Sequence, residues 1–522
     1  MEQEKMRKMK KVLAITLVVA LGVTSMTACG KGKSAKGGSD TEIEIAYWHS
    51  GLGIDWLNNM VEAFEDEYPQ YTVTIKSSAD HTAVKAPFGN VNTDTIDLYM
   101  SDAEYNYEYS EQLNDVLDSQ VEGESKTIRE KFDPSYLELE MASDGNVYEL
   151  TYGGATTGIV YNKKLFEQAE INTAPRTTNE LVNVCDTLFG EDIVPFCHFK
   201  NASYWTYVSD IWRMQYDGED YFVNNFYGCK DEDGNSPSKA IFTKEDGRYE
   251  VLKVMEKILT PDYVLSGSNT YEITTMQTKF LQGDCAMMVT GGWIANEMKS
   301  VGGLEDFGIM KTPVISSIID RLDTITSDVE LRKVISAIDA VTDGDKDISE
   351  YQNQTGDAYQ VDDLVISASD WECVRKARNT ISSNYSGHSM FIPTYSNAKE
   401  GAKEFIKFIY SDEGYKIYTD TLHLPLPLSL DSGEIDISDW NDFEKANAHL
   451  VETAEQTATT YIKGQHKIFY LGGATAYAGL NLFDKFCANN ATDRLNATQA
   501  WEKLLDKVES NYKNTWLANI GE

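Results

Sequence analysis

The sequence predicts an α/β protein, and three observations lead to this fold class. Near the start of the chain, between residues 41 and 76, a strand pattern is followed by a helix pattern and a second strand pattern. A strand, a helix and a strand in this order form a parallel pair with a right-handed crossover. A third strand pattern follows at residues 95–102, and the 522 residues are enough for two or more folding units.

The spacing of apolar residues defines the first elements. Residues 41–48 (TEIEIAYW) alternate apolar and polar side chains, which is the period of a strand. The helix after them repeats its apolar positions at intervals of three and four residues: Ile54, Leu57, Val61 and Phe64. Pro69 ends this helix, and the second strand (YTVTIK, 71–76) follows it.

Two more helices and a pair of strands are predicted further along. Residues 145–171 contain two strand patterns that pass through Gly153 and Gly154. Thr177 and Glu180 then have the spacing of a helix capping box. The helix that begins there has one apolar face, formed by Leu181, Val184, Cys185 and Leu188. A later helix also has one apolar face, formed by Ala402, Phe405, Ile406 and Ile409.

Two other segments have an unusual composition. The segment GDCAMMVTGGW (283–293) contains a buried strand at 286–289 and ends in Gly291, Gly292 and Trp293. Residues 316–384 are rich in Asp, Ser and Thr, and the stretch 343–357 has almost no apolar side chain. This composition predicts an inserted, partly helical segment with an exposed loop.

The N-terminus predicts export and attachment to a lipid. Five basic residues precede a 12-residue apolar stretch (12–23), which is too short to cross a bilayer and is typical of a secretory signal. The signal covers residues 1–28, and MTAC at 26–29 resembles the bacterial lipobox. Cys29 is therefore expected to carry the acyl chains, and residues 30–40 form a flexible tether. The predicted location is the extracellular face of the cell membrane.

Charge and cysteine spacing exclude several function classes. Without residues 1–28 the chain has 41 basic and 81 acidic residues, a field that repels nucleic acid. The six cysteines after Cys29 show no CxxC and no metal-finger spacing, and no pair is assigned. The His and Cys residues show no nucleophile-plus-base arrangement, and HExxH, GxSxG and phosphate-binding glycine loops are missing from the sequence. We expect no metal, no cofactor and no catalytic residues.

Four segments, taken in order, resemble the family 1 extracellular solute-binding proteins of ABC importers, which bind carbohydrates. They are IEIAYW with FEDEYPQYTVTI, GNVYELTYG with YNKKLFEQAEI and PRTTNEL, KFLQGDCAMMVTGGW, and AKEGAKEFIKFIYSDEGYKIYTDTLHLPLPLSL. The resemblance covers most of the mature chain, although LTYG stands where the family usually has LPY. It implies a two-lobed, periplasmic-binding-protein-like α/β fold. Each lobe would be a mainly parallel sheet flanked by helices, with the ligand cleft between the lobes.

Carried onto this chain, the family's fold gives boundaries for the lobes. Strands that cross between lobes would lie near residues 150–153, 310–313 and 424–428. Lobe 1 would comprise residues 41–151 and 314–424, including the insertion at 316–384. Lobe 2 would comprise residues 154–311 and 429–522.

Sugar chemistry and sheet geometry select the first candidate site residues. A sugar has hydroxyls at its rim and an apolar C–H face, so its site needs flat aromatic rings and converging polar side chains. Ligands of open α/β sheets bind beyond the carboxyl ends of strands. We therefore expect contacts from Trp48 and His49 after the first strand, and from Ser101 and Asp102 after the third. Alternatively, Asp102 caps a helix and Trp48 closes the end of the sheet.

The resemblance adds further candidates. Tyr152 would face the cleft at the first crossing, and Tyr204 and Trp205 in NASYWTYV would form an aromatic pair beside the ligand. Gly292 would let the ligand approach the backbone. Trp293 is the best candidate for stacking on a sugar ring, with a place in the core as its alternative. Tyr470 and Tyr477 are weaker candidates.

The resemblance implies a lipid-anchored, monomeric protein that captures a carbohydrate and delivers it to the transmembrane subunits of an ABC permease. The carbohydrate is expected to be an oligosaccharide. Two other classes stay open. An extracellular glycoside hydrolase would need two carboxylates about 5–10 Å apart. A ligand-sensing lipoprotein would pass its closure to a signalling partner instead of a permease.

Overall fold

The computed structural model describes residues 39–105, 107–200, 202–470 and 480–512. The predicted signal segment, Cys29 and most of the tether lie outside these residues, as does Tyr477. Within the described ranges, no helix has both the length and the apolar character needed to cross a membrane.

Sheet 1 contains the first four strands of the chain and one much later strand. Its members are β1 (Glu42–Trp48), β2 (Thr72–Ser78), β3 (Leu98–Asp102), β4 (Leu150–Thr151) and β12 (His388–Phe391), in the order β2-β1-β3-β12-β4. β1 is parallel to β2 and β3, with Ile45 opposite Ile75 and Leu98, as the strand-helix-strand pattern predicts. β12 runs antiparallel to both β3 and β4.

Sheet 2 is built from later strands. Its members are β5 (Thr156–Asn162), β6 (Phe196–Cys197), β7 (Met287–Gly291), β8 (Phe307–Met310), β11 (Thr380–Ser383) and β13 (Gln456–Ala458). The order is β13-β11-β5-β7-β6, and β8 also pairs with β5. A separate hairpin joins β9 (Ala358–Val361) to β10 (Leu364–Ser367).

The α/β class is confirmed, but the strand directions differ from the expectation of mainly parallel sheets. In sheets 1 and 2, every antiparallel pair among the described strands contains β5 or β12. These two strands begin just after the chain has passed from one sheet to the other. Each passage joins strands of different sheets, so the strand after it is not governed by the crossover rule that makes consecutive strands of one sheet parallel.

The helices of the described residues flank these sheets. Their bounds, in chain order from α1 to α18, are Asp55–Glu67, His81–Lys85, Asn114–Leu117, Ile128–Lys131, Pro134–Glu140, Lys163–Gln168, Thr178–Gly190, Thr206–Asp217, Ala240–Thr243, Gly247–Ile258, Ile273–Leu281, Ile294–Glu297, Asp328–Thr342, Ala368–Arg378, Lys399–Ile409, Asp412–Leu422, Asp442–Glu452 and Ala497–Asn511.

Three of these helices test the predicted apolar faces. α7 buries the four residues expected of it, and Thr177 caps it by accepting the N–H of Glu180. α15 likewise buries its four predicted residues. In α1 the face is rotated, because Trp56 and Met60 are buried beside Leu57 and Phe64, while Ile54 and Val61 are half-buried.

Each sheet has its own apolar core, and we call each sheet with its core a lobe. In lobe 1, α1 and α15 pack together on sheet 1, with the ring centroids of Phe64 and Phe405 5.0 Å apart. In lobe 2, α7, α8 and α10 pack around sheet 2. Met287 and Met288 of β7 are fully buried there, as the strand pattern predicted.

Residues 316–383 belong to lobe 2, so the predicted return to lobe 1 at residue 314 is wrong. Val314, Val334 and Trp371 lie in the lobe 2 core, and β11 pairs with both β5 and β13. The segment is partly helical, as expected, through α13 and α14. The apolar faces of α13 and α14 are buried against lobe 2, and this packing holds the whole segment on lobe 2 although its loop is polar.

The chain passes between the lobes at three places. The first passage, residues 152–155, follows β4 and overlaps the range 150–153 given for the first crossing. The second is at residues 384–387, between β11 and β12. The third comes later than the predicted 424–428, because Leu430 and Ile435 still pack on lobe 1 and Phe443 is the next residue in a lobe 2 cluster.

Hydrogen bonds tie the second passage to the first passage and to lobe 1. Asn384 Oδ1 accepts the N–H of Ala155 at 2.9 Å, and the Tyr385 hydroxyl donates to the carbonyl of Pro425 at 2.9 Å. Gly154 has a φ of +135°, and a Cβ there would lie 2.9 Å from Tyr385 Cδ1. Glycine at this position therefore lets the first two passages run side by side.

Candidate functional site

A cavity of about 190 Å³ lies between the two lobes and beside the passages. The lobe 1 wall comes from the ends of β1 and β3: Trp48, Ser50, Gly51, Leu52 and Asp102. The passages contribute Gly154, Asn384, Gly387 and, at the start of β12, His388. The lobe 2 wall consists of Tyr204, Tyr207, Trp293, Glu297 and Tyr461. Space for one water needs only about 10–15 Å³, so the cavity is large enough for a ligand.

The lobe 1 wall is placed by the carboxyl ends of parallel strands, as predicted. The Trp48 ring stacks on His388, with centroids 4.9 Å apart, and its Nε1 donates to Ala79 O at 3.0 Å. Asp102 is partly exposed, and Lys85 Nζ lies 3.3 Å from its Oδ1. Burial lowers the pKa of His388 to about 4, so its imidazole is neutral near pH 7.

Three aromatic rings form much of the lobe 2 wall. Trp293 meets Tyr204 and Tyr207 edge to face, with both centroid distances 5.9 Å. One helical turn after Trp293, the Glu297 carboxylate accepts a hydrogen bond from Gln277 Nε2 at 2.6 Å. Burial raises the pKa of Glu297. This wall therefore offers aromatic faces with a carboxylate beside them.

The two glycines before Trp293 make room for the protein's own side chains. A Cβ at Gly291 would lie 2.2 Å from Cζ3 of Trp293, so the indole folds back over the bare backbone. A Cβ at Gly292 would lie 2.8 Å from Oδ1 of Asn447. Gly292 does not border the cavity. The interpretation that this turn exposes backbone to the ligand is therefore not supported by the geometry.

Trp293 lies both in the core and at the cavity. Its side chain is 5% exposed, and it belongs to the apolar cluster of lobe 1 although its strand belongs to lobe 2. A Cβ at Gly51 would lie 3.8 Å from the indole. Trp293 can therefore be both a core residue and a cavity residue, because its ring reaches across the cleft, packs in the lobe 1 cluster and borders the cavity.

Four other predicted residues do not border the cavity. Trp205 is 1% exposed and packs against Phe196 in the lobe 2 core, so pairing it with Tyr204 as a cleft residue is wrong. Ser101 is buried in sheet 1, and His49 is not one of the residues that line the cavity. Tyr152 is also buried, and its hydroxyl donates to the carbonyl of Trp48 at 3.2 Å. Tyr152 therefore supports the cleft wall from behind.

Sequence reasoning missed several cavity residues, and two of them had a usable signal. Tyr207 is three residues after Tyr204, and Glu297 is four after Trp293, so each shares a helix face with a residue that was identified. Tyr461 and Asn384 had no such signal. They come from segments whose neighbours in the fold are far away along the chain.

A cysteine with a histidine beside it lies in the lobe 2 core. Cys487 Sγ is 3.4 Å from His198 Nε2, and His198 Nδ1 is 3.7 Å from Asp484 Oδ1, so the fold brings together residues that are far apart in the sequence. Burial raises the pKa of the Cys487 thiol to about 11 and lowers that of His198 to about 4. Both groups are neutral near pH 7, and neither borders the cavity. A buried neutral thiol is not a nucleophile.

A family model and a curated relative match this chain in sequence. Residues 50–416 match the model described as bacterial extracellular solute-binding protein. A putative binding protein of Brucella abortus (strain 2308) is 22% identical over 296 residues. That match covers 54% of this chain and 64% of the relative, so the chain spans less than two thirds of the relative's length.

Solved structures share the two-lobed α/β fold. The bacterial solute receptor AcbH, described as having an exclusive substrate preference for β-D-galactopyranose, is 13% identical with a TM-score of 0.59. The alignment covers 91% of this chain and 100% of AcbH. The BlMnBP1 binding protein of an ABC transporter from Bifidobacterium animalis subsp. lactis, solved with mannobiose, is 17% identical with a TM-score of 0.57. That alignment covers 90% of this chain and 95% of BlMnBP1.

The family assignment agrees with the fold described above. The matched residues 50–416 make up more than half of the chain and include the strands of sheet 1 from β2 onward and most of sheet 2. The relatives in sequence and structure are described as binding proteins or receptors. The chain belongs to the bacterial extracellular solute-binding protein family.

Proposed function

We propose that this protein captures an extracellular carbohydrate in the cleft between its lobes. The observation that carries the proposal is the composition of the cleft. Aromatic rings stand on both walls, with Trp48 on one side and Tyr204, Tyr207 and Trp293 on the other. A sugar needs such rings for its C–H face. AcbH and BlMnBP1, which share the fold, are described with galactopyranose and mannobiose.

Polar groups of the cleft match the hydroxyl rim of a sugar. Asp102 and Glu297 approach the cavity from opposite lobes, and Asn384 lies between them on the second passage. Carboxylate and amide groups form strong hydrogen bonds with sugar hydroxyls when water is excluded. Because Asp102 and Glu297 are acidic, a neutral polyhydroxylated ligand suits this cleft better than an anion.

Hinge closure is the proposed mechanism of capture. A ligand between the walls makes all its contacts only when the lobes approach each other, so it shifts the population toward the closed form. The three passages would act as the hinge. Micromolar affinity requires about −8 kcal/mol, which stacked rings and several hydrogen bonds can supply.

The finer part of the proposal concerns location and partner. Cys29, which follows the predicted signal, would carry a lipid that holds the protein at the outer face of the membrane. The closed form would deliver its sugar to the transmembrane subunits of an ABC permease. The Cys29→Ser variant should move from the membrane fraction to the medium. Retention of that variant on the membrane would contradict the anchor.

A thermal-shift screen over mono- and oligosaccharides tests the proposal. We expect at least one carbohydrate to raise the melting temperature, with no new reducing ends after prolonged incubation. The absence of a stabilising carbohydrate would contradict carbohydrate capture. New reducing ends would instead favour an extracellular glycoside hydrolase.

A further inference from the structure

A groove of about 610 Å³ lies beside the third passage, and it is larger than the cleft cavity of about 190 Å³. Lobe 1 forms one wall through residues 130–134 and 425–430. The other wall is α17, which borders the groove with Ala448 and Val451 and packs on lobe 2 through Phe443. We call this space the hinge groove.

The hinge groove and the cleft cavity lie on either side of the passages. Within the described part of the chain, no residue borders both spaces. Gly154 borders the cleft cavity, and a Cβ there would lie 2.9 Å from Tyr385 Cδ1. The Tyr385 hydroxyl in turn donates to the carbonyl of Pro425, which borders the hinge groove. One layer of packed residues therefore separates the two spaces.

The walls of the hinge groove are largely apolar. Side chains from both lobes and from the third passage contribute to them: Phe132, Pro134, Pro427, Leu430, Ile437 and Val451. Covering such a surface stabilises an apolar ligand by about 25 cal/mol for each Å² removed from water. The volume of the groove lies within the range of about 300–1,000 Å³ that pockets for small molecules occupy.

The charged groups that border the hinge groove give it a negative field. The acidic residues at its edge are Glu130, Asp133, Glu434 and Glu452. Lys131 also borders it, but its side chain is buried and its Nζ lies 2.7 Å from Glu124 Oε2 and 2.9 Å from Asp412 Oδ1. The charge of Lys131 is thus already balanced inside the protein. The edge of the groove therefore attracts a cation and repels an anion.

We propose that the hinge groove is a second binding site, which takes a small amphipathic cation with an apolar body and one basic group. The apolar body would lie between Phe132 and Val451, and the basic group would reach Glu434 or Glu452. This ligand differs in class from the one proposed for the cleft. Its binding does not depend on the function proposed above.

A ligand in the hinge groove would also act on the cleft, because it touches both lobes. The lobes are in contact in this structure, since Trp293 of lobe 2 packs in the apolar cluster of lobe 1. A ligand that fits the groove in this form favours the form with the lobes together, and so does a ligand of the cleft. The two ligands should therefore strengthen each other's binding. This coupling, unlike the site itself, rests on the proposed function.

Fluorescence titration of the purified protein with three pyrene probes tests the site. The probes are pyrenylmethylammonium, the neutral pyrenylmethanol and the anionic pyrenecarboxylate. We expect the cation to bind about tenfold or more tightly than the carboxylate, with the alcohol between them. Equal affinity for the cation and the alcohol would reduce the groove to an apolar surface and overturn the proposal. Failure of the cation to bind would overturn it as well.

A substitution that fills the groove shows whether the probe binds there. Ala448 is half-buried on α17, and Ala448→Trp should weaken the cation about tenfold or more. The matched control is Ala491→Trp, at an exposed position that does not border the groove, which should leave the affinity unchanged. If Ala448→Trp binds the cation as tightly as the wild type, the proposal is wrong. Dimers of the wild type that Ala448→Trp abolishes would assign the groove to a second copy of the chain, which would also overturn it.

Removing charge at the edge tests the choice of a cation, and it answers the question should Ala448→Trp not fold. Glu434→Gln combined with Glu452→Gln should weaken the cation about threefold or more and leave the neutral alcohol unchanged. Both glutamates are exposed, as are Glu62 and Asp66 of α1. The control that combines Glu62→Gln with Asp66→Asn should affect neither probe. An equal loss in both double variants would mean that only the net charge of the protein matters, which contradicts a site.

Calorimetric titration of the recognised sugar, with and without saturating pyrenylmethylammonium, tests the coupling. We expect the cation to raise the affinity for the sugar about threefold or more in the wild type, and to have no such effect in Ala448→Trp. An unchanged sugar affinity in the wild type would overturn the coupling. If no carbohydrate binds at all, the proposed function fails, while the titrations with the pyrene probes still decide whether the hinge groove is a site.

Discussion

Trp48 and Trp205 are both aromatic residues selected from the sequence, yet their surroundings differ. Trp48 borders the cleft and stacks on His388, whereas Trp205 is fully buried in the lobe 2 core. We expect Trp48→Ala to weaken carbohydrate binding about tenfold or more and to change the free energy of unfolding little. Trp205→Phe should lower that free energy by about 1–2 kcal/mol and leave binding unchanged.

Calorimetry with the recognised sugar and urea unfolding of both variants check this contrast. Reversed results, with Trp205→Phe losing affinity and Trp48→Ala keeping it, would move the binding site away from the cleft. The position of Tyr204, the residue before Trp205, explains why Trp205 was wrongly predicted to border the cleft. Tyr204 and Trp205 lie on one helical turn (Ala202–Trp205), so consecutive side chains point in different directions and only one of them borders the cavity.

Glu140 gives the protein a specific dependence on pH. It lies beside a buried ion pair in which Lys463 Nζ is 2.7 Å from Glu149 Oε1. Burial raises the pKa of Glu140 to about 8 from 4.5, although Lys463 opposes the shift. The folded state thus keeps a proton that the unfolded chain releases. The stability from this proton is complete below pH 4.5 and is lost as the pH rises through 8.

Glu140→Gln keeps the shape of the protonated carboxyl and removes its titration. We therefore expect the variant to become more stable relative to the wild type between about pH 5 and pH 8. Urea unfolding of both proteins at several pH values in that range measures the difference. Two curves that stay parallel over the whole range would contradict a raised pKa for Glu140.

At the scale of elements, the end of β7 shows how a strand can place a cleft residue. Gly291 provides the space into which the Trp293 ring folds. We expect Gly291→Ala to displace the indole, to lower the free energy of unfolding by about 1–3 kcal/mol and to weaken sugar binding. Unfolding and titration measurements check both effects.

The matched control for this change is Gly190→Ala at the end of α7. A Cβ at Gly190 meets nothing within 4 Å, so the control should be neutral or slightly stabilising, by up to about 1 kcal/mol. If Gly291→Ala behaved like Gly190→Ala, the close packing of Trp293 over the backbone would be wrong.

The elements that sequence predicted best are those with local patterns. The faces of α7 and α15 follow from a period of 3.6 residues within one helix, and all the residues predicted for them are buried. The lobe of residues 316–383 depends instead on pairs such as Ser382 with Thr157, which no local pattern encodes. For the same reason Asn384 and Tyr461 could not be assigned to the cleft before the fold was known.

At the scale of the whole molecule, the lobes are linked by three passages, and the first two lie against each other. Asn384 joins the first two through Ala155, and Tyr385 joins the second to Pro425, which lies in lobe 1 ahead of the third passage. A joint of this kind restricts the relative motion of the lobes to a bend about the passages. The predicted positions of the second and third passages differ from those in the structure. Their positions depend on contacts between residues far apart in the chain, such as the pairing of β11 with β5 and β13.

The central claim is that a carbohydrate binds between the lobes and draws them together. Small-angle X-ray scattering of the purified protein, with and without its recognised sugar, tests that claim most directly. We expect saturating sugar to reduce the radius of gyration of the wild type. Under the same conditions Trp48→Ala, which lacks a cleft ring, should stay at the sugar-free value until higher concentrations. Tight sugar binding with an unchanged radius of gyration would contradict the account.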